Sequence, residues 1–354
     1  MVSADDAAGT TERPRAGQAA RDTSGRTLLL LGLGAIAIIA AAFAAPRLAQ
    51  RGATTVAIAV GLHPTGVALD PAAHRAYITN TDGNSVSVLD TGSNTVVATV
   101  RVGLHPMGVA LDPTAHRAYI ANMGSNSVSV LDTRSDAVVA TVATGSDDLP
   151  SNPIGVGLDP TTHRAYVANA ERDTLSVIDA HHAVAATIAM RFAPAGVALD
   201  PTTHRAYVAN ADSNTVAEID TRSDAAVATV AIITVGYSPM GVALDPTAHR
   251  AYVANNDSDS VSVLDTGSNT VVAAVRVGSG PVSVAVDPTA RRAYVANVYS
   301  NTVSVLDMGS NTIVATMATG SSPAGIAVDP NTHRVYVANN RGTTVSVLAG
   351  STAN

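Results

Sequence analysis

The sequence contains no cysteine, no tryptophan and no lysine. Without cysteine there are no disulfide bonds and no thiol chemistry, which fits an exported chain and a cytosolic one equally. Without tryptophan, and with two phenylalanines and 3% aromatics in all, a core must be built from Val, Ala, Leu and Ile. Every basic residue is arginine, and beyond residue 52 there are 15 of them against 24 acids, a formal charge of about −9. No basic stripe is present, which disfavours nucleic-acid binding. Long apolar runs are scarce too. Beyond residue 52 none is long enough for an ordinary helix, because Pro, Gly, Asn or Asp cuts each within a few residues.

What the chain has instead is repetition. The stretch "DPTTHRAYVANA" occurs at Asp159–Ala170 and again, unchanged, at Asp200–Ala211. Its opening Asp-Pro recurs at Asp70, Asp112, Asp159, Asp200, Asp245, Asp287 and Asp329, with spacings of 42, 47, 41, 45, 42 and 42 residues. That period suits four short strands per copy, the size of a propeller blade. The copies are rich in Val, Thr and Tyr, which excludes a helical solenoid.

One copy reads strand by strand. "GVALD" (Gly108–Asp112), "RAYIAN" (Arg117–Asn122), "SVSVLD" (Ser127–Asp132) and "AVVATVATG" (Ala137–Gly145) are separated by short turns. The seventh copy stops at "TVSVLAG" and lacks its fourth strand, while "TTVAIAVGLHP" (Thr54–Pro64) aligns with the fourth strand of the first copy and its exit, "VVATVRVGLHP". The N-terminal strand is therefore expected to complete the last blade, closing the ring and removing two open sheet edges.

The repeat columns carry their own chemistry. Seven of the nine tyrosines fill one column: Tyr77, Tyr119, Tyr166, Tyr207, Tyr252, Tyr294 and Tyr336. The Asp of each Asp-Pro is expected to cap its own turn, with the Arg five residues on pairing to a carboxylate in the same or the next blade. A functional ring of seven acids is the alternative. The histidine before that Arg is present in six copies and replaced by Arg291 in the sixth. Spread one per blade, these histidines cannot converge on one metal and read as turn residues.

The N-terminus departs from the repeat. Residues 1–26 are polar and read as a disordered cytoplasmic tail. "TLLLLGLGAIAIIAAAFAA" (Thr27–Ala45) runs nineteen residues without a charge, enough to cross a bilayer as one hydrophobic helix. An uncleaved signal-anchor is preferred over a cleaved signal peptide. The arginines before it favour the N-terminus inside. Residues 46–52 form a linker and 53–354 the propeller, expected outside the cytoplasmic membrane in the periplasm or at the cell surface.

With the repeat defined, "RAYVAN…SNTVSVLDT…NTVVATV…G…P" resembles the YVTN family of bacterial and archaeal β-propeller repeats over residues 54–348. The motif reads "YITN" at Tyr77–Asn80, "YIAN" at Tyr119–Asn122 and "YVAN" in the other five copies, and the tryptophan of the WD40 pattern is missing. The resemblance implies an all-β, seven-bladed propeller of four-stranded blades, in a family whose members are mostly exported or surface proteins. Related propellers include lactonases, a streptogramin lyase and subunits of quinoprotein dehydrogenases, a kinship of fold that does not set function.

An active site needs a break in symmetry. The innermost strand is "GVALD" in four copies, "GVGLD", "SVAVD" and "GIAVD" in the others, and none places a general acid, base or metal ligand on the channel wall. The exceptions lie in the fourth-to-first and second-to-third connections, which share one face. "SDDLPSN" makes the connection into the third copy five residues longer than the first equivalent. Asp147, Asp148, Glu171, Arg172 and Arg191 are expected to be neighbours there, with Phe192 as an apolar anchor and His63, His105, Tyr237 and Arg341 on the same face. A solvated charged rim is the alternative. Asn255, Asp257 and Asp259 are spaced like the start of a calcium loop but lack the later bidentate Glu, and His181–His182 reads as an exposed turn. The expectation is a non-catalytic scaffold at the cell envelope that binds a protein or polymer and needs no cofactor or metal. The alternatives are a lactonase- or lyase-like enzyme and an accessory subunit of a quinoprotein dehydrogenase.

Overall fold

The computed structural model describes residues 55–146, 148–190, 192–222 and 229–350. The N-terminal tail and the hydrophobic segment Thr27–Ala45 lie outside the described residues. Blade 1 consists of Pro64–Asp70, Arg75–Asn80, Ser85–Asp90 and Thr95–Arg101, paired antiparallel in that order from the ring axis outward. Five further copies repeat the plan. The seventh blade takes three strands from the C-terminus and its outer strand, Val56–Ala59, from the N-terminus, with Val56 opposite Val347 and Ala59 opposite Thr344. The ring therefore closes as the truncated last copy requires. No α-helix occurs among the described residues, only three single-turn 3-10 segments after the second strands of blades 2, 4 and 5.

Burial explains why the strands differ in composition. Each blade is covered on both sheet faces by its neighbours, so its two middle strands are buried almost throughout, including the serines of "SVSVLD" such as Ser87. Tyr77, Ile78, Val86, Val88 and Leu89 are fully buried. The outer strand Thr95–Arg101 alternates between exposed and half-buried positions. The core is accordingly seven inter-blade seams. In the first, Tyr77, Val86 and Val88 pack on Ala118, Ile120 and Leu131 of blade 2; in the last, Tyr336, Val345 and Val347 pack on Ala76, Ile78 and Leu89 of blade 1. Burial raises the hydroxyl pKa values of Tyr207 and Tyr252 to about 12, with the Glu218 carboxylate adding to the shift in Tyr207. Tyr77 Oη reaches the next blade and donates to the Thr133 carbonyl at 3.4 Å.

The inner strands touch through glycine. A Cβ on Gly108 would stand 2.3 Å from the Ile154 carbonyl oxygen, and on Gly155 1.9 Å from that of Ala195. Gly66, Gly196 and Gly325 meet the following blade in the same way. Blade 6 has Ser283 in this column, and there Gly241 faces it more loosely, at 2.8 Å from its Cα. The small residue of "GVALD" is thus the point at which backbones of successive blades come into contact.

The face carrying the Asp-Pro turns behaves as turn chemistry requires. The Asp of Asp-Pro is buried in all seven copies, and Asp70 Oδ1 accepts from the Ala73 N–H at 3.1 Å. The following Arg pairs within its blade (Arg117 with Asp132, Arg250 with Asp265, Arg292 with Asp307) or with the next one, as Arg75 does with Asp136 at 2.7 Å. The turn histidines sit at positive φ, and two of them clamp neighbouring blades. His163 Nδ1 lies 2.7 Å from Asp112 Oδ2, and His333 Nδ1 2.6 Å from Asp287 Oδ2. Burial pushes the Asp112 and Asp287 carboxyls up, but hydrogen bonds from Thr114 and Thr289, from turn N–H groups and from the histidines hold them below the usual range. His182 is not the exposed turn residue expected of it. It is half-buried with its ring edge-on to Tyr119 of the preceding blade, 6.2 Å between centroids, and burial lowers its pKa.

Candidate functional site

The opposite face is built from straps. Each connection between an outer strand and the next inner strand ends in a residue at positive φ just before the proline: His63, His105, Asn152, Ala193, Ser238, Gly280 and Ser322. The carbonyl of that residue accepts the N–H of the first residue in the second-to-third turn of its own blade (Thr81, Met123, Ala170, Ala211, Asn256, Val298 and Asn340), at 2.8–3.2 Å. Its own N–H is taken by the preceding blade. In six junctions the acceptor is an Asn or Asp side chain in the left-handed region, which these residues enter readily. Asn84 Oδ1 accepts from His105 at 2.9 Å, Asn214 Oδ1 from Ser238 at 2.9 Å and Asn301 Oδ1 from Ser322 at 2.7 Å, with Asn126, Asp173 and Asp259 serving the others. At the seventh junction a backbone carbonyl, that of Gly342, accepts from His63 at 3.1 Å.

Residues of the calcium-like spacing take part in this bonding. Asp259 Oδ1 is committed to the Gly280 N–H, and Asn255 is buried with its amide on Ser260 and Ser262. Among the described residues no three His, Asp or Glu side chains are placed to hold a metal ion.

In six of the seven straps the residue two before the proline faces solvent; the exception is Ser151, which is buried in the long connection. Leu62, Leu104, Phe192 and Tyr237 occupy this position and are 52–67% exposed; Leu149 in the long connection and Tyr299 in a neighbouring turn are 59% and 70% exposed. Together they form an apolar crown on one face. Every other large exposed hydrophobic residue described lies on an outer strand. Sequence reasoning found Phe192 and Tyr237 but missed Leu62, Leu104, Leu149 and Tyr299. The signal was available for two of them: the column two residues before the strap proline reads Leu, Leu, Ser, Phe, Tyr, Ser, Ser around the ring.

The polar residues expected at this face are placed as follows. Asp148, Glu171, Arg172 and Arg341 are exposed. Asn152 Nδ2 donates to Glu171 Oε2 at 3.4 Å, and Arg172 makes no ion pair among the described residues. His63 Nδ1 lies 2.5 Å from Asp82 Oδ2. His105 is an exposed strap residue whose ring lies against Gly124. Asp147 and Arg191 lie outside the described residues. Asp148, Glu171 and Arg172 share no hydrogen bond or ion pair with one another among the described residues.

A second break in symmetry went unnoticed because it lies away from channel and loops. Blade 4 reads "TVAEID" where other copies read "SVSVLD" or a close variant, so Glu218 stands in a column of valines. It is 4% exposed, with Arg205 Nε at 3.1 Å and Asn269 Nδ2 of blade 5 at 2.6 Å, and Arg205 also binds Asp220 at 2.7 Å.

No protein-family model matches the chain, and no curated protein matches it in sequence. Solved structures do match. A chain of hydrazine synthase from Kuenenia stuttgartiensis superposes with a TM-score of 0.74 at 20% identity, over 82% of this chain and 96% of that one. At that identity the likeness is one of fold.

Proposed function

We propose that this chain is a non-catalytic, YVTN-type propeller that binds a protein or polymer at the cell envelope through its strap face. The observation carrying this reading is the crown of Leu62, Leu104, Leu149, Phe192, Tyr237 and Tyr299, half or more exposed on the hydrogen-bonded straps and one turn of a single face. Scattered exposed apolar residues are ordinary, but a set gathered on one face marks an interaction surface. Loops fixed on a rigid scaffold are where recognition concentrates. Asp148, Glu171, Arg172 and Arg341, with Asp147 and Arg191, supply a polar rim, and Thr27–Ala45 holds the propeller outside the cytoplasmic membrane.

The test is site-directed photo-crosslinking of the full-length chain in native envelopes. A photoreactive residue in place of Leu104 or Tyr237 should give a discrete adduct, and one in place of His181 on the opposite face should give none. The converse pattern would place the partner on the wrong side for this proposal. A second reading, an accessory propeller chain within an enzyme assembly, is favoured by the near-complete coverage of the hydrazine synthase chain. It predicts that the Leu104 and Tyr237 adducts contain an enzyme subunit.

A further inference from the structure

We propose that Asp257 and the two tyrosines tied to its turn, Tyr237 and Tyr299, bind an arginine side chain of the docked partner. This inference rests on the strap-face docking proposed above and gives one of its contacts a chemistry.

Both tyrosines are fixed relative to the same turn of blade 5, Asn256 to Asp259. The Tyr237 N–H donates to Ser258 Oγ at 2.6 Å, and the Tyr237 carbonyl accepts from the Asp257 N–H at 3.3 Å. Tyr299 comes from blade 6. Its N–H donates to the Ser279 carbonyl at 3.1 Å, and that strap is anchored to the blade 5 turn by the Gly280 N–H, which donates to Asp259 Oδ1 at 2.9 Å. Gly280 explains where the Tyr299 ring goes. A Cβ on Gly280 would stand 2.3 Å from Tyr299 Cδ2 and 2.7 Å from Cε2. Every other strap has a residue with a Cβ at this position. The Tyr299 ring thus lies against its strap in space that only glycine leaves free. It is nevertheless 70% exposed, and Tyr237 is 67% exposed.

The charge between them is particular to this blade. Acids occupy both the second and the fourth position of the turn only in blades 3 and 5; blade 3 places Arg172 between them, and blade 5 places Ser258. Tyr299 is the only aromatic residue at the second position in any blade. Asp257 is exposed and makes no ion pair among the described residues. Arg276, at the end of the outer strand of the same blade, pairs with neither Asp257 nor Asp259.

Two exposed rings and an uncompensated carboxylate complement a guanidinium. Its flat face stacks on an aromatic ring while its edge donates to a carboxylate. An aliphatic side chain would leave the carboxylate unused, and an acidic one would be repelled. The formal charge of about −9 beyond residue 52 attracts a cationic partner in the first place.

The experiment has two arms, both on the full-length chain. Ligand-observed NMR compares N-acetyl-arginine methylamide with its uncharged isostere N-acetyl-citrulline methylamide and with tetramethylammonium. The arginine probe is expected to bind about threefold more tightly than either. Asp257→Asn and Tyr237→Ser, which installs the residue three other straps carry, should each weaken it about threefold, and Tyr237→Phe should leave it unchanged. Melting curves verify that each variant folds. In native envelopes, the adduct from a photoreactive residue in place of Leu104 reports docking itself, and adding Asp257→Asn with Tyr237→Ser should lower its yield about fivefold or more. The inference is overturned if the arginine probe does not bind, if citrulline or tetramethylammonium binds as tightly, if Asp257→Asn and Tyr237→Ser leave arginine binding unchanged, or if the Leu104 adduct is undiminished by the pair. Absence of a Leu104 adduct without those substitutions would overturn the docking reading, and the NMR arm would still decide the arginine site.

Discussion

Gly155→Ala tests the claim that the ring is held at its axis by backbone contact. Gly155 is not among the residues at positive φ, so the substitution probes space alone. The new Cβ would stand 1.9 Å from the Ala195 carbonyl oxygen, about 1.1 Å inside the 3.0 Å limit for such contacts. Neither partner is a side chain that can swing away. Blade 4 would have to move outward, and every other junction of the closed ring would share the displacement. Overpacking costs about 1–3 kcal/mol and occasionally more, and here the upper end is expected, about 3 kcal/mol. Gly241→Ala meets its nearest atoms at 2.8 and 2.9 Å and should cost about 1 kcal/mol. Gly92→Ala has only an ordinary 3.4 Å contact in an exposed turn. It should be neutral or gain about 0.5 kcal/mol through the unfolded state. Urea midpoints followed by circular dichroism and tyrosine fluorescence rank the three, and melting temperatures should move by about 2 °C per kcal/mol for a chain of this length. Equal midpoints for Gly155→Ala and Gly92→Ala would refute the reasoning.

Three further outcomes are expected. Deleting residues 53–60 exposes the edge of Thr344–Ala349, so the shortened protein should self-associate in sedimentation experiments; a monomer with unchanged melting would show that ring closure contributes little. Glu218→Val should change stability by less than about 1 kcal/mol, because Arg205 retains Asp220, whereas Arg205→Ala strands a buried carboxylate and should cost about 3 kcal/mol; the opposite order in thermal melts would refute the assignment. Turn N–H groups, led by those of Ser135 and Ser268, hold the Asp132 and Asp265 carboxyls at about 2. Their stabilisation is therefore complete above the ordinary Asp pKa of about 4 and lost as pH falls through about 2. A melting temperature that stays flat from pH 7 down to pH 2 would contradict this.

The fold was legible because its determinants are local and repeated seven times. The Asp-Pro corner, the tyrosine column and the missing fourth strand each point to the same ring. The strap face was legible only in part. Loop length and charge drew attention to Asp148, Glu171 and Arg172, but the course of the straps depends on their tethers, and these are hydrogen bonds that backbone N–H groups donate to Asn and Asp side chains that look like ordinary turn residues. Taken alone, Leu104 gives no sign that it faces water, since it is as apolar as the buried Ile120; only the column two residues before the strap proline marks it. Glu218 was visible in the repeat columns. It passed unremarked because a substitution in a third strand has no evident address until the blades are set side by side.

The seventh strap, tied to the Gly342 carbonyl and not to a side chain, has a consequence for assembly. Six junctions ask the preceding copy for an Asn or Asp at one position, while the last asks only for a peptide group, which any copy supplies. The copies are close to interchangeable, two of them sharing twelve consecutive residues. A nascent ring with its final gap unfilled could therefore accept the terminal strand of another molecule almost as well as its own. What favours its own is proximity: residues 56–59 and 344–349 belong to one chain, and an intramolecular end is present at a high effective concentration. Crowded synthesis erodes that advantage, so exchange of terminal strands between molecules is the characteristic misassembly to look for when the protein is produced at high level.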